Sequence, residues 1–153
     1  MKPHTDNTYL RTNPLSCCGM WIALDDAAQD NGALWGVPGS HRNPTNDFLV
    51  RKGQECSYYP EEKKDYDISQ SVPLEAKAGT VVLLHGDFVH YSAHNTSMKQ
   101  RHAYTFHVVE GTKHWEKDNW LQRGSHLPFR NMLKVDTNSR DPMYAKATAE
   151  FEK

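Results

Sequence analysis

"VPLEAKAGTVVLLHGDFVHYSAHN", residues 72–95, decides how this chain folds. Apolar runs of strand length alternate in it with turn-forming residues. They predict a strand near Val72–Glu75, a turn at Gly79, a buried run Val81–Leu84, a turn at Gly86-Asp87 and another strand from Phe88. The same rhythm continues outward. "RHAYTFHVVE" (101–110) is dominated by aromatic and β-branched residues and stops at a glycine, which predicts a further strand. "CCGMWIAL" (17–24) and "ALWGVP" (33–38) flank the polar loop "DDAAQDNG" (25–32), whose Asn31-Gly32 is a turn dipeptide, and predict two neighbouring strands. Residues 42–67, rich in charge and turn formers, read as a long surface insertion in which Glu61–Asp65 is a solvated face. After Pro142, alanines and charged helix formers predict one short C-terminal helix. The fold class is therefore an all-β core with peripheral loops.

The chain has 153 residues, enough for one domain that buries roughly 68–70% of the surface its unfolded form exposes. Its 18 Lys+Arg against 19 Asp+Glu are spread along the sequence, which gives no electrostatic case for nucleic acid or an anionic membrane and points to a small-molecule partner. No apolar run reaches the roughly 18 residues of a membrane span, and the first residues lack the layout of a secretory signal, so the expectation is an intracellular, cytoplasmic protein with organelle targeting left open. Three cysteines, Cys17, Cys18 and Cys56, lack C-x-x-C spacing and are expected to be reduced packing residues.

The chemistry begins at "KPHTDN" (2–7). On an extended segment residues i and i+2 project from one face with Cα atoms about 6.6 Å apart, so His4 and Asp6 can converge on one ion. A 2-His-1-carboxylate triad, the arrangement that holds non-haem Fe(II) with coordination positions open, needs one more histidine. His85, His90, His94, His102 and His107 are the candidates. If 88–94 is extended, Phe88, His90, Ser92 and His94 share a face; if 101–107 is extended, Arg101, Ala103, Thr105 and His107 share another. His90, Ser92 and Arg101 can then look into one interior.

These residues carry a resemblance. His4-Thr5-Asp6, Trp21 on a strand, Asn31-Gly32-Ala33-Leu34 followed by Pro38-Gly39-Ser40-His41, and His90 followed eleven residues later by Arg101 together resemble the pattern of the phytanoyl-CoA dioxygenase family of Fe(II)- and 2-oxoglutarate-dependent oxygenases. The resemblance runs to about Phe129, which sets an expected oxygenase region at 1–129 and a tail at 130–153. It implies a double-stranded β-helix, or jelly roll, with His4, Asp6 and His90 as iron ligands and Arg101 pairing with the distal carboxylate of 2-oxoglutarate. Ser92 is expected to add a hydroxyl donor to that carboxylate, Trp21 an apolar wall, and Thr5 a backbone contact. His85, His94, His102 and His107 are left outside the ligand set.

By the same resemblance, Fe(II), 2-oxoglutarate and dioxygen hydroxylate a C–H bond and release succinate and carbon dioxide. The family's best-known substrates are branched fatty acyl-CoAs, but no stretch of this sequence reads as a CoA pocket, so the substrate is unassigned. The family also carries a long segment ahead of H-x-D where this sequence has three residues, so the jelly roll is expected to be incomplete at the N-terminus, as a truncated product or one completed by a partner chain. Two other readings stand beside the oxygenase: a catalytically inactive jelly-roll binding module, and a cupin-like metal-binding protein holding Zn(II) or Ni(II). Arg101 separates the last from the first, since a metal store has no use for a carboxylate anchor.

Overall fold

The computed structural model describes residues 1–44, 46–61, 65–125 and 128–132. The chain forms two compact units, Met1–Gln122 and Arg123–Lys153. In the second, the Arg123 guanidinium lies 5.2 Å from the centroid of the Phe129 ring; the helix expected after Pro142 lies outside the described residues.

The first unit is built of short strands: β1 (Thr12–Asn13), β2 (Cys18–Ala23), β3 (Leu34–Gly36), β4 (Phe48–Lys52), β5 (Glu55–Tyr59), β6 (Val72–Leu74), β7 (Val81–His85), β8 (His90–Ser92), β9 (Ala103–Val108) and β10 (His114–Trp115). All pairings are antiparallel. One sheet runs β7-β2-β9, a second β6-β3-β8, and β4-β5 and β1-β10 form two-stranded ribbons. Trp21, Ala23 and Leu84 from the first sheet meet Ala27, Ala33 and Leu34, on and before β3, in one buried cluster, with Leu74, Phe88 and Ala103 packed against it. Two antiparallel sheets over one apolar core are the all-β jelly roll that the sequence predicts.

Four details differ from the expectation. The strands flanking the 25–32 loop are not neighbours: β2 is already paired on both edges, by β7 and β9, so the chain crosses to the other sheet before β3 begins. That crossing is fixed by Asn31, whose carboxamide accepts the Ala28 N–H at 2.8 Å and donates to the Asp26 carbonyl at 2.8 Å, and by Gly32, whose φ of 88° favours glycine. The run Val81–Leu84 is not buried throughout. Leu84 faces the core at 5% exposure, whereas Val81 and Leu83 are 49% and 65% exposed, the period of two of a strand with one covered face. Residues 42–67 are more than a surface insertion, because β4 and β5 pair from Phe48↔Tyr59 to Lys52↔Glu55 and bury Val50. Cys17 is buried, but Cys56 is exposed and does no packing. Among the described residues no helix is long and apolar enough to cross a membrane.

Candidate metal centre

The segment ahead of β1 is nailed to the second sheet. His4 and His90 form an antiparallel bridge, which extends that sheet beyond β8. Thr5 follows in extended conformation (φ −118°, ψ 148°), so His4 and Asp6 fall on one side of the segment and Thr5 on the other. The chain then closes into a 3₁₀ turn over Asp6–Thr8, held by a Thr5 Oγ1 to Thr8 Oγ1 hydrogen bond of 2.9 Å and by the Asn7 N–H donating to the Gly86 carbonyl at 2.8 Å.

This places one ring nitrogen from each of His4 and His90 and one Asp6 carboxylate oxygen within 4.8 Å of one another. Asp6 Oδ1 lies 3.9 Å from His4 Nε2 and 3.8 Å from His90 Nε2. Both imidazoles are oriented by the same device. His4 Nδ1 donates to the Lys2 carbonyl at 2.9 Å and His90 Nδ1 to the Phe88 carbonyl at 2.9 Å, so in each ring Nε2 is the nitrogen turned toward the carboxylate. Backbone carbonyls that fix the tautomer in this way are the usual outer support of metal-ligating histidines. Asp6 is 4% exposed and its Oδ2 is buried with no hydrogen-bond partner. A buried carboxylate oxygen without a partner is costly, and two imidazoles with one carboxylate are a donor set that fits a divalent metal.

The cavity beside the cluster is lined by Trp21, Leu34, Leu84, Ser92, Arg101 and Ala103 as well as by the three donors. Arg101 enters from the strand edge before β9, its guanidinium carbon 5.8 Å from the Trp21 ring centroid and its Nε buried without a partner. Gly32 lies against it: a Cβ there would come within 3.8 Å of the guanidinium. The structure thus gathers His4, Asp6, His90, Ser92, Arg101 and Trp21 around one cavity. Thr5 is not in that lining; it borders a depression with Ser40, Tyr66 and Asp87. Motif residues outside the cavity act as struts, Ser40 Oγ accepting the Val89 N–H at 2.9 Å next to His90 and Gly39 taking the positive φ of 80° that the turn before Ser40 requires.

Sequence reasoning left His107 outside the ligand set and did not foresee its contact with Asp6. His107 lines the same cavity, and its Nε2 lies 3.3 Å from Asp6 Oδ1, where the carboxylate raises the imidazole above its ordinary 6.5 against the opposing effect of burial. The signal was present, since His107 shares a strand face with Arg101, Ala103 and Thr105, all of which line the cavity. Gly19, also in the lining, gave no sequence cue.

A jelly roll whose mouth brings two imidazoles and a carboxylate together defines a protein with a candidate 2-His-1-carboxylate metal centre. The model of the phytanoyl-CoA dioxygenase (PhyH) family matches residues 1–103, and the chain belongs to that family. Phytanoyl-CoA dioxygenase 1 of Oryza sativa subsp. japonica is 46% identical over 123 residues, covering 79% of this chain and 43% of its own length. Phytanoyl-CoA dioxygenase domain-containing protein 1 of Danio rerio is 45% identical over 135 residues, 85% of this chain and 46% of the relative. Among solved structures, the non-heme alpha ketoglutarate dependent carbocyclase SnoK from nogalamycin biosynthesis matches with a TM-score of 0.60 at 30% sequence identity, over 74% of this chain and 45% of that one. The chain spans about half the length of the curated relatives it matches.

Proposed function

We propose that this chain carries the iron- and co-substrate-binding site of an Fe(II)- and 2-oxoglutarate-dependent oxygenase acting on a small molecule, with His4, Asp6 and His90 as the metal ligands and Arg101 as the anchor of the co-substrate. The observation that carries the reading is the pairing of two unsatisfied groups in one cavity. Asp6 offers a buried carboxylate whose Oδ1 faces the His4 and His90 nitrogens and whose Oδ2 has no hydrogen-bond partner, and Arg101 offers a buried Nε–H without one. The first calls for a cation and the second for an anion. A divalent metal with a dicarboxylate supplies both, whereas a metal alone leaves the guanidinium unanswered.

Within this reading each side chain has a task. His4 and His90, held by their Nδ1 hydrogen bonds, present Nε2 to the ion, and Asp6 supplies the charge that favours a divalent ion. The planar fork of Arg101 would hold the far carboxylate of 2-oxoglutarate, a match of shape that lysine would not reproduce. Trp21 backs that fork, Ser92 offers a hydroxyl beside it, and Leu34 and Leu84 keep the lining apolar and water out. When bound, iron and 2-oxoglutarate supply the oxidising chemistry, dioxygen being consumed and the co-substrate leaving as succinate and carbon dioxide. The relatives' names support a dioxygenase, and SnoK, by its printed description, depends on alpha-ketoglutarate.

Anaerobic addition of 2-oxoglutarate to the Fe(II)-loaded protein tests this directly. The expected result is a visible metal-to-ligand charge-transfer band that is absent from Asp6→Ala. A wild-type protein that gives no band at saturating iron and 2-oxoglutarate overturns the proposal.

A further inference from the structure

Asp6 is gripped from a direction that its two histidine neighbours do not explain. Its Oδ2 lies over the bare Cα of Gly19 on β2: a Cβ built at position 19 would sit 2.6 Å from Oδ2, closer than real Cβ atoms come, and 3.6 Å from His107 Cδ2. Gly19 and His107 are directly opposite one another in the β2–β9 register. The glycine does not serve the backbone, because residue 19 is not among the positive-φ positions. It serves space. One cross-strand pair of the first sheet thus meets a carboxylate delivered by a segment attached to the second.

We propose that the Gly19–His107 pair is the seat of the Asp6 carboxylate, Gly19 leaving room for Oδ2 and His107 donating its Nε2–H to Oδ1, so that His107 is a positioning residue for the metal-binding oxygen. The proposal rests on the reading of His4, Asp6 and His90 as ligands and deepens it. Three imidazole nitrogens surround Oδ1, at 3.9, 3.8 and 3.3 Å. His4 and His90 give their Nδ1–H to carbonyls, which leaves Nε2 of each ring as the atom a metal would take. His107, the nearest of the three, is the one placed to give a proton without competing with a metal for its own lone pair. A carboxylate has an almost free torsion about its last bond, and burial alone does not choose which oxygen faces the two rings. A steric floor under one oxygen and a donor at the other do choose it. A role as fourth ligand fits less well, since the donors that lie within 4.8 Å of one another are those of His4, Asp6 and His90.

Titration of Co(II) alone, followed by its visible d–d absorption, separates these roles in wild type, His107→Ala, His107→Gln and Gly19→Ala, with thermal unfolding of each variant measured alongside. The His107 side chain is 37% exposed, so its truncation leaves the core intact. His107→Ala is expected to weaken Co(II) binding by about 10- to 100-fold, the usual effect of removing an outer-shell partner, with the band shape at saturation unchanged. His107→Gln, whose amide N–H can reach the same oxygen, is expected to recover most of the loss. Gly19→Ala is expected to bind at least as weakly as His107→Ala. Wild-type affinity in His107→Ala overturns the proposal while leaving the metal site standing. Loss in His107→Gln as deep as in His107→Ala, with an altered band at saturation, overturns it in favour of direct ligation. A wild-type protein that binds no Co(II) removes the metal site itself, and the seat with it.

Discussion

His4 and His90 hold each other by their backbones: the His4 N–H donates to the His90 carbonyl at 3.1 Å, the His90 N–H donates to the His4 carbonyl at 3.0 Å, and the two rings stand 4.3 Å apart. In an antiparallel hydrogen-bonded pair the side chains of directly opposed residues lie on one face. The pair of proposed ligands is therefore set by sheet geometry, and a residue four positions into the sequence is held as firmly as one in a strand. Asp6 then follows from the single extended residue between it and His4.

If the cluster binds metal in the folded state alone, metal must stabilise the fold by mass action. Mn(II) at about 100 times its Kd should raise the unfolding free energy by about 2.7 kcal/mol. Calorimetric melts with and without Mn(II) measure this, and Asp6→Ala should show no shift.

Gly36 is required by the ring beside His90. A Cβ at position 36 would lie 2.3 Å from Phe88 Cζ, and Phe88 stacks on His90 with centroids 6.4 Å apart and planes 9° from parallel. Gly36→Ala should cost about 1–3 kcal/mol, the usual price of overpacking. Phe88→Ala in the same chain should remove most of that cost in a double-mutant cycle.

The P-G-S-H serine supports the other ligand strand. Val89 is 7% exposed and donates its N–H to Ser40 Oγ, so Ser40→Ala leaves a buried donor unpaired. A loss of about 1–3 kcal/mol is expected in urea unfolding, with the slope unchanged.

Asp25 couples the loop after β2 to the start of β9, next to Arg101. Its Oδ2 accepts the His102 N–H at 2.8 Å and stands 2.7 Å from His102 Nδ1, and these bonds lower the carboxyl below its ordinary 3.8. A depressed carboxyl contributes stability that is complete above its unfolded value and is lost as pH falls through its folded value. The difference in melting temperature between wild type and Asp25→Asn should therefore be present at about pH 6 and disappear by about pH 2. A difference that persists at the acidic end would contradict this assignment.

Much of the fold was legible because strands with one covered face write themselves as period-two patterns: residues 72–95 contain β6, β7 and β8 with the turns between them. The partners of β2 and β3 were not legible, since loop 25–32 looks like a hairpin turn and only the full set of strands shows both edges of β2 taken. In the site, spacing put His4 and Asp6 forward as a pair and left five histidines open as the third donor; the resemblance to the family pattern singled out His90 and Arg101. Gly19 escaped because its role is to have no side chain where Asp6 Oδ2 sits, a fact of distance rather than of type. The strand period put His107 on the face of Arg101, Ala103 and Thr105 and His102 on the other, but the contact of His107 with Asp6 escaped because the pairing of two distant segments is not written in either.

The most direct test of the central claim, that one cavity holds a metal and a dicarboxylate together, is calorimetric titration of 2-oxoglutarate into the Mn(II)-loaded protein and into its Arg101→Gln variant. The account predicts binding that requires Mn(II) and is weakened in the variant by about 1.5–3 kcal/mol, roughly 10- to 150-fold in Kd. Binding of equal strength in both proteins, or binding indifferent to the metal, would contradict it.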